Sequence, residues 1–276
     1  AYRAYIGKIF DLAGIEGGAA KADAILAFET KIAEVHWTQE DSRNIQKIYN
    51  PMTAAQLAAL APEMNWALMF DNLGLASVPT YLVAQPSAID KEAALFAAAD
   101  PAFLRDWLAF HFINANAQYL SAEFDSANFD FFSKTLRGIP EQRERWKRGI
   151  NQIDASLGEA VGQIYVDRHF PPANKAAMDA LVKNLIDAFR ERLENNEWMD
   201  AATREQALLK LSTFEPKIGY TTKWTDYSSL EIGEDLFDNA LALAEFGWRD
   251  QVKELGKPVD REKWPYPPQT VNASYN

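Results

Sequence analysis

The sequence contains no cysteine and only three histidines. Without cysteine the chain has no disulfide scaffold, no thiolate metal site and no cysteine nucleophile. His36, His111 and His169 lie far apart, and each is next to an aromatic residue. A zinc site commonly starts from two histidines one helical turn apart, and this chain does not supply that pair. We therefore interpret the three as core or half-buried side chains and expect this chain to bind no metal by itself.

Long hydrophobic runs and a surplus of positive charge are also missing. No stretch approaches the roughly 18 consecutive apolar residues of a spanning helix, and no signal pattern opens the chain. The formal net charge of −11 argues against nucleic acid as a partner, because neutralising phosphates needs an excess of lysine and arginine. The one dense basic run spans residues 143–148. Glu144 lies within this run and Glu141 lies just before it. This pattern indicates a solvated helix face.

The motifs of several enzyme classes are absent. The sequence has no glycine-rich phosphate loop, no G-x-S-x-G elbow and no Ser/His/Asp grouping that spacing singles out. Its thirty-nine acidic residues are scattered, and no pair indicates a glycosidase. Aromatic residues at helical spacing, such as Phe103, Trp107 and Phe110, are more typical of a core than of a carbohydrate platform. These absences leave nucleotide, serine-hydrolase and glycosidase chemistry without support in the sequence.

The sequence does contain ample material for a globular core. Of its 276 residues, 48% are hydrophobic, enough to offset the conformational entropy that keeps polar chains disordered. Helical periodicity dominates, and two stripes at three-and-four spacing predict core faces. The first stripe is Ile25, Phe28, Ile32 and Val35, and the second is Met178, Leu181, Leu185, Phe189 and Leu193.

Local signals predict about nine helices and few strands. Thr53 with Gln56 predicts a capping box, and Asp100 and Asp200 predict helix starts. Candidate strands lie near Tyr81 to Ala84, at Lys217 to Tyr220 and at Thr270 to Tyr275. We predict a mainly α fold with minor β structure at the C-terminal end. A strand there would leave an unpaired sheet edge, so we expect the natural protein to continue past Asn276.

Asn272 and Ala273 form the candidate binding site. An asparagine on an exposed strand offers both a donor and an acceptor to an extended peptide, and a small neighbour leaves room for it. The alternative is a turn, because Asn272 follows the proline-rich stretch Pro265 to Pro268. The residues by themselves favour the turn.

Collinear segments across nearly the whole chain resemble the neprilysin and endothelin-converting-enzyme family of zinc metallopeptidases. The segments are similar to the family's runs in the same order: Ala27–Ala33, Arg43–Thr53, Leu136–Gly138, Arg145–Arg148, Gly158–Val166, Trp198–Ala207, Lys217–Trp224, Pro258–Trp264 and Val271–Ala273. Three positions depart from the family pattern, namely Asn44, Thr221 and Ser274. Ser274 replaces an aromatic residue and could alter packing beside the cleft.

The resemblance implies that the chain is an internal piece of a larger, bacterial peptidase. In the family, V-N-A-Y-Y precedes an H-E-x-x-H helix and a later glutamate ligand, and the chain contains neither. Zinc is therefore expected in the intact enzyme and in residues outside this chain. The resemblance therefore implies no catalytic residue in this chain. Of the family's functional residues, only Asn272 and Ala273 carry over, as the substrate-backbone site.

Family members fold as two mostly helical lobes that enclose a substrate chamber. By resemblance, residues 1–40 and 75–240 belong to the helical covering lobe. Residues 41–74 and 241–276 belong to the zinc lobe. The range 241–276 ends in a substrate-binding edge strand.

The expected function is part of a zinc-dependent metalloendopeptidase that cleaves peptides in a closed chamber. Its expected partners are a peptide substrate and the remaining catalytic portion, on the same or a separate chain, and this chain alone is expected to be inactive. The alternative is a stand-alone, non-catalytic helical module that binds peptides or a partner. We favour a periplasmic or secreted bacterial protein over the cytoplasmic alternative, and the absence of cysteine does not decide between these compartments.

Overall fold

The structure is a computed structural model and describes residues 1–274. Within this range the chain is mainly helical, which confirms the predicted fold class. The helices are α1 (Tyr2–Leu12), α2 (Gly18–Val35), α3 (Ile45–Ile48), α4 (Ala54–Leu60), α5 (Trp66–Leu73), α6 (Pro86–Ala98), α7 (Pro101–Asn116), α8 (Ala122–Asn128), α9 (Arg145–His169), α10 (Pro172–Glu194), α11 (Ala201–Ser212) and α12 (Leu236–Val252). The estimate of nine was low because several helices are too short to show a periodic stripe.

The only sheet among residues 1–274 is a short antiparallel pair. Strand β1 (Pro51–Met52) pairs with β2 (Tyr81–Leu82), with Pro51 opposite Leu82 and Met52 opposite Tyr81. The strand predicted near Tyr81 is thus present.

The strands predicted at Lys217 to Tyr220 and Thr270 to Tyr275 were wrong for the described residues. At Gly219 the chain turns with a φ of 79°, a conformation that breaks an extended ladder. Residues 270–274 have no neighbouring strand to pair with, and Tyr275 lies outside the described residues.

The helices divide between two compact units. The first unit contains Ala1–Gln142 and Glu231–Lys257, so it holds α1–α8 and α12. The second unit contains Arg143–Leu230 and the residues from Pro258 onward, so it holds α9–α11.

The first unit contains a continuous aromatic and aliphatic core. Helix α1 buries one face because its large apolar residues recur at helical spacing. The members of this core are Tyr5, Ile6, Ile9 and Phe10 of α1, Ala22 and Ile25 of α2, Phe110 of α7, Ala127 of α8 and Phe131. Phe103 and Trp107 pack against it, which confirms that the aromatic residues of α7 are core residues. Each fully buried large side chain stabilises the fold by about 1.5–3 kcal/mol.

Helix starts follow the predicted caps. Thr53 and Gln56 form a complete capping box at α4. The Asp100 carboxylate accepts the Ala102 N–H at the start of α7. Asp200 accepts the Thr203 N–H at the start of α11, and this hydrogen bond lowers the pKa of Asp200.

The two predicted stripes have different outcomes. Ile25 and Phe28 are buried, as expected for a core face. The α10 stripe was predicted as a core face, and this was wrong: Met178, Leu181, Leu185 and Phe189 are 40–59% exposed. No residue of α10 is buried in the described part of the chain.

Candidate substrate-binding segment

Asn272 and Ala273 lie in the second unit, in an irregular segment that follows the prolines. Both residues are exposed, and neighbouring Val271 is fully exposed. The Ala273 N–H donates to the Asn272 Oδ1 at 2.8 Å. An incoming peptide would have to compete with this local bond for the asparagine oxygen.

Two glycines of α9 receive the prolines of this segment. A methyl group on Gly158 would lie 2.9 Å from the Pro267 Cγ, and one on Gly162 would lie 2.6 Å from the Pro268 Cδ. Both distances are shorter than real Cβ contacts. The proline pair can therefore approach the helix this closely only because these positions carry no side chain.

Gln269 adds a polar anchor directly after the prolines. Its Nε2 donates to the Asp154 Oδ1 and to the Gly158 carbonyl oxygen, both at 2.9 Å. The Thr270 N–H then donates to the Pro267 carbonyl oxygen at 3.0 Å and closes a turn. The chain leaves this anchored turn only two residues before Asn272.

The same part of α9 binds a further segment of the second unit. The Glu159 Oε2 accepts the Thr225 N–H at 2.7 Å. Leu157 interrupts the helix with a φ of −122° and ψ of 25°, which marks a kink immediately before Gly158. The run Gly158–Gly162 is therefore a docking region for two connecting segments.

Ion pairs attach the beginning of the terminal segment. Lys223 Nζ binds the Asp260 carboxylate at 2.7 Å, and Lys217 donates to the Arg261 carbonyl oxygen. The hydrogen bond from Lys223 lowers the pKa of Asp260. The same hydrogen bond raises the pKa of Lys223.

Thr221, one of the departures from the family pattern, is buried without being left unsatisfied. It is 4% exposed, and its Oγ1 donates to the Lys223 carbonyl oxygen and accepts the Lys223 N–H, both at 3.0 Å. The hydroxyl thus closes the turn that precedes Trp224.

The described residues do not fit a zinc site. Within residues 1–274 no group of three or more His, Asp or Glu side chains is arranged to hold a metal ion. His36 pairs with Glu92 at 2.5 Å and His111 with Glu29 at 2.7 Å. Both pairs have one histidine and one carboxylate, fewer ligands than a protein zinc site uses.

The histidines follow their predicted environment in part. His111 is half-buried, as expected, whereas His36 is exposed and His169 is exposed at the end of α9 beside the Tyr165 ring. Among the described residues, no helix has the length and apolar character needed to cross a membrane.

The sequence analysis proposed Asn272 and Ala273 as candidates but did not single out the residues that anchor the segment before them. These are Gly158, Gly162 and Gln269. Two glycines one helical turn apart, in a chain with a downstream proline pair, were the available signal. That signal does not say which segment approaches the helix.

Comparison with known proteins decides the family. The family model of peptidase family M13 matches residues 1–221, which is most of the chain. The chain belongs to peptidase family M13.

Relatives of the chain include known peptidases. The neutral endopeptidase of Lactobacillus helveticus is 27% identical over 274 residues, and the match covers 98% of the chain and 42% of the relative. Endothelin-converting enzyme 1 of Homo sapiens is 26% identical over 287 residues, covering 100% of the chain and 37% of the relative. The chain therefore spans about two fifths of the length of these relatives.

Solved structures extend the similarity to the fold. The open state of the zinc metalloprotease Zmp1 of Mycobacterium tuberculosis superposes with a TM-score of 0.91 at 37% identity, covering all of the chain and 44% of Zmp1. The inhibitor complex of the same protein gives a TM-score of 0.89 at 36% identity, covering 100% of the chain and 42% of Zmp1. These matches confirm the resemblance to the neprilysin and endothelin-converting-enzyme family.

Proposed function

We propose that the chain is part of a zinc-dependent metalloendopeptidase and contributes its substrate-backbone segment. The observation that carries this proposal is the similarity of the whole chain to 44% of Zmp1, a zinc metalloprotease of Mycobacterium tuberculosis. Membership of peptidase family M13 supports hydrolysis of peptides as the reaction of the intact protein.

Asn272 and Ala273 are the proposed peptide-binding residues. The side-chain amide of Asn272 would donate to a substrate carbonyl and accept from a substrate N–H. Ala273 would leave space for the peptide backbone beside it. The exposure of both residues and the anchored turn before them support this role. Because two bonds fix the direction and register of an extended peptide, the role is positioning.

The helices of the chain are proposed to form walls of the substrate chamber. We assign residues 1–40 and 75–240 to the covering lobe, and residues 41–74 and 241–276 to the zinc lobe. The exposed apolar face of α10 supports a wall function, since an apolar surface of this kind marks a region that meets another molecule or chain segment.

Zinc is proposed to be bound by residues outside this chain, in the remaining catalytic portion of the same peptidase. When bound, zinc would supply Lewis-acid activation of water and of the scissile carbonyl. The contribution of this chain is to hold the peptide and to exclude bulk solvent.

The test compares the 276-residue chain with the same chain joined to an H-E-x-x-H portion. We expect peptide cleavage by the joined protein, loss of cleavage on chelation, and no cleavage by the chain alone. Metal-dependent cleavage by the chain alone would overturn the assignment of catalysis to other residues. Peptide binding without any cleavage by the joined protein would instead support the non-catalytic module.

A further inference from the structure

The helix α9 holds the terminal segment through contacts that end just before the proposed peptide-binding residues. Pro267 and Pro268 fit against Gly158 and Gly162, and Gln269 is bonded to the same helix. Residues 270–274, by contrast, are all exposed. The last firm contact between this segment and the rest of the second unit is therefore made at Gln269.

Both hydrogen bonds of Gln269 require one orientation of its side-chain amide. Asp154 Oδ1 and the Gly158 carbonyl oxygen are both acceptors, so the –NH2 group must face them. The Gln269 Oε1 is consequently turned into a buried position where no described residue bonds to it. A buried acceptor without a partner is costly, and the two hydrogen bonds that the Nε2 donates offset this cost. These two bonds fix the side chain of Gln269 in one orientation against α9.

The distance from the anchor to the binding residues is short. An extended chain spans at most about 3.3–3.6 Å per residue, so Asn272 lies within about 11 Å of Gln269. A turn closed by the Thr270 N–H occupies part of that length. The direction in which Asn272 leaves α9 thus depends on how Gln269 is held.

We infer that Gln269 is a positioning residue for the peptide-binding residues Asn272 and Ala273, acting through its bonds to Asp154 and Gly158 of α9. This inference rests on the proposed function for its kinetic consequence. Gly158 and Gly162 contribute to the same positioning, because a side chain at either position would displace Pro267 and Pro268.

The geometric test uses the absence of native cysteine, which allows two spin labels to be placed uniquely. Val271→Cys and Arg190→Cys put one label on each side of the anchor within the second unit, and both positions are exposed. Gln269→Met should broaden the distance distribution between the labels, because the thioether keeps the bulk and loses both bonds. Gln163→Ala, at an exposed position of α9, should leave the distribution unchanged. An unchanged distribution in Gln269→Met would overturn the inference.

The kinetic test uses the chain joined to its catalytic portion. Gln269→Met should raise KM about tenfold, the equivalent of about one hydrogen bond, and change kcat much less. Adding Gln269→Met to Asn272→Ala should raise KM little further, because both changes remove the same positioning of the peptide. Independent, additive losses would contradict positioning and indicate a general structural role.

The two tests separate the inference from the proposed function. If the label distances respond to Gln269→Met and the joined protein cleaves no peptide, the positioning geometry stands and the peptidase assignment fails. If the joined protein cleaves peptides and its KM does not respond to Gln269→Met, the peptidase assignment stands and the positioning role fails.

Discussion

The two units of the molecule bury their helices in different ways. In the first unit, α1 alone buries four large side chains, Tyr5, Ile6, Ile9 and Phe10. In the second unit, α10 and α11 bury no residue. Helix α9 buries Val166 and two glycines, so most of its burial is contact between backbone and proline rings. Side-chain packing stabilises the first unit, whereas close backbone contact sets geometry in the second.

The largest expected effect is a comparison of two phenylalanines on helices. Phe110→Ala on α7 removes a fully buried ring and should lower the free energy of unfolding by about 3–5 kcal/mol. Phe189→Ala on α10 removes a ring that is 59% exposed and should change it by less than about 1 kcal/mol. Urea unfolding measures both. Equal losses would remove the distinction between the units.

A second comparison uses two glycines of the same helix. Gly162→Ala should destabilise by about 1–3 kcal/mol, because the added methyl group overpacks the contact with Pro268. Gly149→Ala meets no atom within 4 Å and should stabilise by about 0.5–1 kcal/mol, since alanine favours a helix. Urea unfolding followed by tryptophan fluorescence distinguishes the two. A stabilising Gly162→Ala would show that the proline contact is dispensable.

The first unit should lose stability at alkaline pH. Burial, followed by a hydrogen bond with Glu29, raises the pKa of Tyr2, and burial raises the pKa of Tyr5. Because both folded-state pKa values lie above the unfolded value of about 10, the stabilisation of the fold by the two protonated tyrosines is fully present below about pH 10. This stabilisation is lost as the pH rises above that value. The urea midpoint should fall as the pH rises above about 10, and Tyr2→Phe should make this fall shallower. An undiminished slope would exclude Tyr2 as a source.

The smallest expected effect concerns the ion pair at the beginning of the terminal segment. The folded-state pKa of Asp260 is lowered by Lys223. The ion pair therefore stabilises the fold above the unfolded pKa of about 3.9, and this stabilisation is lost as the pH falls through the folded-state pKa. Lys223→Met should move the NMR titration midpoint of Asp260 upward, toward its usual range. A midpoint that does not move would remove Lys223 as the cause.

The sequence predicted local structure well and burial less well. Caps at Thr53, Asp100 and Asp200 formed as expected, because a cap depends on neighbours within one turn. The α10 stripe shows the limit: Leu181 and Phe189 have helical spacing but are 49% and 59% exposed. Periodicity predicts a helix and an apolar face, whereas the partner of that face is a property of the whole chain.

The candidate site was predictable only in part, for a similar reason. Family resemblance singled out Asn272 and Ala273, and the structure leaves both exposed. The predicted edge strand was wrong for residues 270–274, since a strand needs a neighbour that these residues lack. Gly162 and Gln269 lie more than one hundred residues apart in sequence, and no local pattern predicts their contact.

The most direct test of the account is the peptide-cleavage kinetics of Asn272 variants in the chain joined to its catalytic portion. Asn272→Asp keeps the shape and an acceptor but loses the –NH2 donor, and should lower kcat/KM about tenfold or more. Asn151→Ala, at an exposed position of α9, should leave it unchanged. An Asn272→Asp enzyme as active as its parent would contradict the assignment of Asn272 to the substrate backbone.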